Sequence, residues 1–196
     1  ASDAPARGGG SVSAVAGALA AALAEMVANL TVGKAKYADA EEEMKEIVAK
    51  GAEIRRTLVD DIERDSESFT LYMKALRMPK DTEEQKAVRR EAMQNGLKEA
   101  ARVPLSVART AAEIFPLAEA VIARGNTNAV TDGLVAAMMA RTAVIGALFN
   151  VKINLGSIKD EEFRAEMEKE VSRLEAEAVE YEKRILKSSE LSDSLC

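Results

Sequence analysis

Apolar residues recur along this chain at steps of three and four, the spacing that places side chains on one face of an α-helix. No segment keeps the alternation of apolar and polar residues that a half-buried strand requires. The pattern therefore predicts an all-α fold, a single-domain bundle of about five or six helices that takes up residues 1–196. A glycine-rich N-terminal loop is expected over residues 1–10.

The first helix is predicted to begin at Ser11, because serine is a good N-cap residue and follows a run of glycines. Alanines and Gly17 alternate with larger apolar residues through this segment, so the helix is expected to be buried on most sides. Its apolar face consists of Val12, Val15, Leu19, Leu23, Met26, Val27 and Leu30.

A second, very long helix is predicted from about residue 38 to about residue 78, where Pro79 stops it. A third opens at residues 81–84, whose acidic side chains favour the positive end of a helix. Pro104 suits the first turn of a fourth helix, which Pro116 is expected to kink.

The last two helices differ in character. Residues 131–155 are apolar nearly all round, which is typical of a helix at the centre of a bundle or at an oligomer interface. The final helix begins near Asp160 and carries one apolar stripe, with a charged opposite face, so it is expected to cover the bundle from outside.

A carboxylate interrupts the apolar stripe of the second helix. At about 100° per residue, Asp65 lies within roughly 20° of Leu58 and Tyr72 on the helix circumference. Burial disfavours a charged carboxylate, so Asp65 needs either a proton or a compensating partner. It is either a structural group bonded to another helix, or a general acid/base or cation-stabilising group in an apolar pocket. Asp61 lies about 40° away and could share the site.

Further candidates stand near helix ends. Glycines 8–10 and Ser11 could form an anion-binding nest of backbone N–H groups, although the same residues also suit a flexible linker. Lys34 and Lys36 could contact an anion, or could simply be solvated.

The fifth helix contributes Asp132, Asn150 and Asn154, for which helix capping and helix-to-helix hydrogen bonding are the alternatives to ligand binding. Asn150 and Asn154 are one turn apart and could act together. Asp132 and Asn150 would be about 27 Å apart along a continuous helix, so one subunit cannot bring both to one ligand atom.

Composition restricts the chemistry. The chain has no histidine and one cysteine, Cys196, which excludes Ser-His-Asp and Cys-His catalysis, a zinc site and helical di-iron sites. No metal site is expected, and a lone cysteine fits a reducing, cytoplasmic location. The net charge of -6 argues against a nucleic-acid partner. The uncharged run at residues 8–24 is short for a bilayer, so no membrane association is expected.

The order of short motifs resembles the cyclodeaminase/cyclohydrolase family of folate enzymes. The family includes methenyltetrahydrofolate cyclohydrolases and the cyclodeaminase domain of formiminotransferase-cyclodeaminases. The matching segments are Gly8–Ser11, Met26–Thr31, Gly33–Lys34, Lys36–Tyr37, Asp65–Phe69, Pro79–Lys80, Val103–Leu105, Gly125–Asn126, Thr131–Asp132 and Phe149–Leu155.

The resemblance implies a homodimer that acts on tetrahydrofolate derivatives without a prosthetic group. Asp65 matches the family's catalytic aspartate, and Asn126, Asp132, Asn150 and the glycine loop match positions expected near the folate. Cyclohydrolase activity is the first expectation for a chain without a transferase domain, and cyclodeaminase activity is the alternative.

A non-catalytic, folate-binding or structural helical dimer is the alternative from another class. Arg7 favours this alternative, because the family loop has proline at that position. The 196 residues also do not include the short helix that the family carries before the loop.

Overall fold

A computed structural model describes residues 8–191; Arg7 and Cys196 therefore lie outside the described residues. Within that range six α-helices and two short 3₁₀ helices form the chain, with no strand, which confirms the predicted all-α fold. The α-helices are α1 (Gly9–Asn29), α2 (Glu41–Leu76), α3 (Glu83–Ala112), α4 (Ile114–Arg124), α5 (Val130–Leu155) and α6 (Glu161–Lys187). The 3₁₀ helices are Ala35–Ala40 and Thr127–Ala129.

Side-chain caps fix the starts of the outer helices. Thr82 caps α3 in a reciprocal arrangement with Gln85, in which each side chain accepts a hydrogen bond from the other residue's backbone N–H. Asp160 caps α6 by accepting a hydrogen bond from the backbone N–H of Phe163. Both helices begin where the acidic residues predict.

Two helix boundaries differ from the predictions. Helix α1 begins at Gly9 rather than at Ser11, because the Ser11 hydroxyl bonds to another helix and does not cap its own. Pro104 lies inside α3 and starts no helix. The break near Pro116 comes earlier, at Glu113, so that Pro116 occupies the first turn of α4.

Helix α1 packs through its small residues. A side chain at Gly17 would place its Cβ 2.9 Å from a methyl group of Leu58 on α2. A Cβ added at Gly146 on α5 would lie only 2.5 Å from Ser13 Oγ on α1. These close approaches bury the alanine-rich face. The expectation that α1 is buried on most sides holds for its small residues, but most of its predicted apolar face is exposed in a single protomer: Val12, Val15, Leu19, Met26 and Leu30.

Helices α1 and α5 run antiparallel, because Gly9 adjoins Asn150 and Gly17 adjoins Ala143. At about 100° per residue, the exposed apolar residues of both helices then lie on the same side of the pair. We call this surface the apolar face: Val12, Val15, Leu19, Met26 and Leu30 of α1 with Val135, Met138, Phe149 and Ile153 of α5.

Both helices also have the length and composition of membrane spans, over Gly9–Asn29 and Thr127–Leu155. In the fold, however, 61% and 50% of their most apolar windows are buried against other parts of the protein. That is the arrangement of core helices. The large apolar side chains that these two helices leave exposed are those of the apolar face.

Candidate active site

A cavity of about 220 Å³ opens where the N-terminus of α1 meets the middle of α2 and the C-terminal half of α5. Helix α3 closes it at Ala100. The structure thus brings Asp65, Asn150, Asn154 and the glycine run to one place, although they are far apart in sequence. The lining residues are Gly8, Gly9, Gly10, Asp65, Ser66, Ser68, Phe69, Ala100, Asn150, Ile153 and Asn154.

Asp65 is half-buried, and its compensating partner is a hydroxyl group. Ser11 Oγ donates a hydrogen bond of 2.8 Å to Asp65 Oδ2 and approaches the carbonyl oxygen of Ile62 at 3.3 Å. The carboxylate lies against the first turn of α1, where a Cβ added at Gly10 would be 2.2 Å from Asp65 Oδ1. Glycine at position 10 is therefore a requirement of this contact.

The N-terminus of α1 supplies positive potential beside Asp65. Gly8 is its N-cap residue and provides no side-chain cap. The first N–H groups of an α-helix lack intrahelical partners, and the helix dipole places partial positive charge there. The Asp65 carboxylate lies next to these groups, which attract negative charge.

Asn150 and Asn154 lie on α5 on the opposite side of the cavity. The Asn150 Nδ2 group donates to the carbonyl oxygen of Gly146 at 2.9 Å. The Asn154 Nδ2 group donates to two carbonyl oxygens, those of Asn150 and Ala100, each at 2.8 Å. Asn154 thus makes a helix-to-helix hydrogen bond, whereas Asn150 bonds within α5, and joint action of the two amides on a ligand stays a prediction.

Asp61, one turn before Asp65, is the fully buried carboxylate of α2. Its Oδ1 accepts a hydrogen bond from Arg64, and its Oδ2 has no partner among residues 8–191. Burial raises the pKa of Asp61, and the nearby Arg64 guanidinium opposes that shift. Asp61 does not line the cavity, so the proposed sharing of the Asp65 site is not seen in this protomer.

We expect Asp61→Asn to make the protein relatively more stable as the pH rises. A folded-state pKa above the ordinary 3.8 means that the folded protein holds this proton more tightly than the unfolded chain. The free energy of unfolding of the wild type then falls as the pH increases from about 4 through the folded pKa. Asparagine does not titrate, so the variant lacks this pH dependence. Urea unfolding at pH 4 and pH 7 gives the free energy of unfolding of both proteins. If the difference between variant and wild type is the same at the two pH values, the expectation is wrong.

The other predicted binding residues form a second cluster at the far end of α1. Lys36 Nζ lies 3.4 Å from Thr127 Oγ1, and the Asn126 side chain donates to the Leu30 carbonyl at 3.2 Å. Hydrogen bonds from Thr127 lower the pKa of Tyr37 to about 8. We call this group the distal cluster: Lys34, Lys36, Tyr37, Asn126, Thr127 and Asp132.

The length of α1 separates the distal cluster from Asp65. The helix has 21 residues, which corresponds to about 30 Å at 1.5 Å per residue. One protomer therefore cannot bring both groups to the same part of a small ligand.

Sequence reasoning missed Ser66, Ser68 and Phe69 as cavity residues, although they lie in the segment around Asp65 that carries the resemblance. Ser68 Oγ donates to the Asp65 backbone carbonyl at 2.8 Å. Ala100 and Ile153 were also missed. For Ala100 a signal was present, because a proline four residues later leaves its carbonyl without a helical donor.

The wall of the cavity contains both free hydrogen-bond acceptors and free hydrogen-bond donors. The oxygens of Asp65 and Asn154 are available to accept, and the Asn154 donors are used by backbone carbonyls. One N–H of Asn150 and the uncapped backbone N–H groups at the start of α1 remain available to donate. Within residues 8–191 there is no group of three or more Asp, Glu, Cys or His side chains able to hold a metal ion. The wall therefore offers a carboxylate to a cationic group and, beside it, N–H donors to an anionic or carbonyl group.

The sequence is similar to those of known proteins. A match to the formiminotransferase-cyclodeaminase family spans residues 1–173. The chain belongs to this family. It is 42% identical to a methenyltetrahydrofolate cyclohydrolase of Methylorubrum extorquens, over 94% of this chain and 89% of the relative.

A longer relative also matches this chain. A formimidoyltransferase-cyclodeaminase of Sus scrofa is 37% identical over 87% of this chain, but the match covers only 32% of the pig protein. Among solved structures, a formiminotetrahydrofolate cyclodeaminase from Thermotoga maritima superposes with a TM-score of 0.85 at 39% identity, over 95% of this chain and 89% of that one. Fold and family are therefore shown together.

Proposed function

We propose that this protein is a methenyltetrahydrofolate cyclohydrolase, which hydrolyses 5,10-methenyltetrahydrofolate to 10-formyltetrahydrofolate. The observation that carries the proposal is the half-buried Asp65 carboxylate in the wall of the cavity. The substrate has a cationic amidinium bridge, which such a wall stabilises. The similar chain length and 42% identity of the Methylorubrum extorquens cyclohydrolase favour this activity.

In the proposed reaction, a water oxygen forms a bond to the bridging carbon between N5 and N10. One water proton passes to Asp65, which acts as general base after stabilising the cation. The new hydroxyl group then loses its proton as the bond from carbon to N5 breaks, N5 takes a proton, and the carbon remains on N10 as a formyl group. Overall the cation and one water give the neutral formyl product and one proton, so no prosthetic group is required.

The same proposal assigns the anionic part of the substrate to backbone and lysine donors. The uncapped N–H groups of residues 8–11 at the start of α1 provide one anion-binding surface. Lys34 and Lys36 of the distal cluster are exposed and could contact a glutamyl tail.

We propose that the protein works as a homodimer formed through the apolar face. The face exposes large side chains, including Phe149 at 59% and Ile153 at 76%, along both helices. Contiguous apolar surface of this kind marks an interaction site. An isologous contact with its two-fold axis across the helices would set each Asp65 end against the partner's distal cluster.

This arrangement would resolve two features of the single protomer. A cavity of 220 Å³ is smaller than ligand pockets usually are, about 300–1,000 Å³, and a partner would add the missing wall. It would also bring Asn126 and Asp132 of the partner subunit near the cavity.

Leu19→Glu is expected to convert the dimer into a monomer and to lower activity strongly. Leu19 is 51% exposed on the apolar face, and two-fold symmetry introduces the charge twice. Val88→Glu is the matched control, because Val88 is 55% exposed on α3, outside that face. Sedimentation velocity measures both variants. A Leu19→Glu protein that stays dimeric would reject this interface.

The second candidate function is formiminotetrahydrofolate cyclodeaminase, in which ammonia leaves as the same ring closes. The Thermotoga maritima structure, with its TM-score of 0.85, is the observation in its favour. Both substrates should be assayed in parallel, one by loss of methenyl absorbance and the other by ammonia release. Ammonia release without methenyl hydrolysis would reverse the assignment, and folate binding without turnover would favour a non-catalytic dimer. A cytoplasmic location remains a prediction of the sequence.

A further inference from the structure

Pro104 stands in the interior of α3, a position where proline normally disrupts a helix. Proline has no backbone N–H, so the carbonyl of the residue four positions earlier loses its helical donor. That residue is Ala100, which lines the cavity. The carbonyl of Ala100 is therefore an acceptor that α3 itself does not satisfy.

Asn154 provides the replacement donor. Its Nδ2 group donates at 2.8 Å to the Ala100 carbonyl, 54 positions away in sequence, and at 2.8 Å to the Asn150 carbonyl. A side-chain amide has two N–H donors, and both are now used. Because a carbonyl oxygen can only accept, these two contacts define which end of the Asn154 amide is nitrogen.

The oxygen of the same amide is left available. No donor among residues 8–191 bonds to Asn154 Oδ1, and this atom is not one of the buried unpaired groups. Oδ1 can therefore accept a hydrogen bond from a molecule in the cavity that Asn154 lines. A reversed amide would present donors instead.

We propose that Pro104 is a positioning residue, which orients the Asn154 amide through the Ala100 carbonyl so that the cavity selects cationic or N–H-bearing ligands. This inference rests on the proposed function. An acceptor at position 154 places partial negative charge beside the amidinium of the substrate, and the same oxygen can accept a hydrogen bond from the N5–H group that forms in the product. The proline thus acts on specificity without touching the ligand.

A double-mutant cycle tests the coupling between Pro104 and Asn154. Asn154→Ala should lower kcat/KM by about 10-fold or more, since it removes an acceptor for a charged ligand. Pro104→Ala should cost several-fold, mainly in KM, because its new N–H competes for the Ala100 carbonyl. In the double variant the loss should equal that of Asn154→Ala within about twofold. Equal losses from Pro104→Ala in both backgrounds would overturn the proposal.

Stability gives a second readout, which does not depend on turnover. Asn154→Ala leaves the Ala100 carbonyl unpaired and should lower Tm, whereas adding Pro104→Ala supplies a helical N–H and should restore part of the loss. NMR of the Asn154 side-chain NH₂ should show slow hydrogen exchange in wild type and faster exchange in Pro104→Ala.

The two readouts separate the proposals. A wild-type protein without turnover, but with this Tm rescue and NH₂ protection, would refute the proposed function and leave the orientation by Pro104 standing. Unchanged NH₂ protection in Pro104→Ala would overturn the orientation even if the wild type turns over methenyltetrahydrofolate.

Discussion

Asp65→Asn is expected to reduce methenyltetrahydrofolate hydrolysis by about 10³-fold while the protein stays folded. General-base catalysis by one side chain contributes about 10²–10⁴-fold, and the lost negative charge also weakens stabilisation of the amidinium. Asparagine has the same shape and its Oδ1 can still accept the hydrogen bond from Ser11 Oγ, so the packing of α1 on α2 is kept.

Asp61→Asn is the matched control for that experiment. It makes the same chemical change one turn earlier on α2, at a carboxylate that is fully buried and does not line the cavity. We expect it to retain most of the activity. Loss of methenyl absorbance at saturating substrate compares the two variants with wild type, and circular dichroism checks their folding. Full activity in Asp65→Asn would remove Asp65 from the mechanism.

Gly10→Ala is expected to lower activity by about 100-fold and to destabilise the protein by about 1–3 kcal/mol, the usual cost of overpacking. Its Cβ would lie 2.2 Å from Asp65 Oδ1 and 2.6 Å from Asp65 Cγ, so the carboxylate must move and lose its bond to Ser11. Helix propensity alone predicts the opposite sign, because alanine favours a helix over glycine by about 1 kcal/mol.

Gly156→Ala is the control for Gly10→Ala. Gly156 has right-handed helical backbone angles, and a Cβ there meets nothing closer than the Ile153 carbonyl at 3.6 Å. It lies outside the cavity, so this variant should keep its activity and its unfolding free energy. A Gly10→Ala protein as stable and active as Gly156→Ala would show that α1 shifts easily and that its contact with Asp65 is not required.

The helices at the outside of the bundle could be predicted well from sequence, because their boundaries depend on local chemistry. Thr82 and Asp160 cap the helices that follow them, and the apolar stripe of α6 faces the core at Met167 and Leu174. Local patterning was less informative for α1, where small and large apolar residues surround the helix. Helical close packing buried the small residues and left the large ones outside.

In the candidate site, too, some features follow from the local sequence and others depend on how the helices pack. Helical periodicity selected Asp65 because its angle on α2 can be read from the sequence. The same argument left Asp61 as a residue that could share the site, since burial at each position depends on what the neighbouring helices place there. Helix α1 brings Ser11 and Gly10 to Asp65, whereas Asp61 is buried and does not line the cavity.

The sequence by itself determined the fold class, because helical periodicity is a local property of the chain, and it predicted a carboxylate for proton transfer, because the chain has no histidine. Only the tertiary structure decided which polar residues meet. It joined Asn154 to Ala100 across 54 positions and placed Lys36 and Asn126 at the far end of α1. Such contacts depend on how helices pack, and packing is set by the shapes of residues distant in sequence.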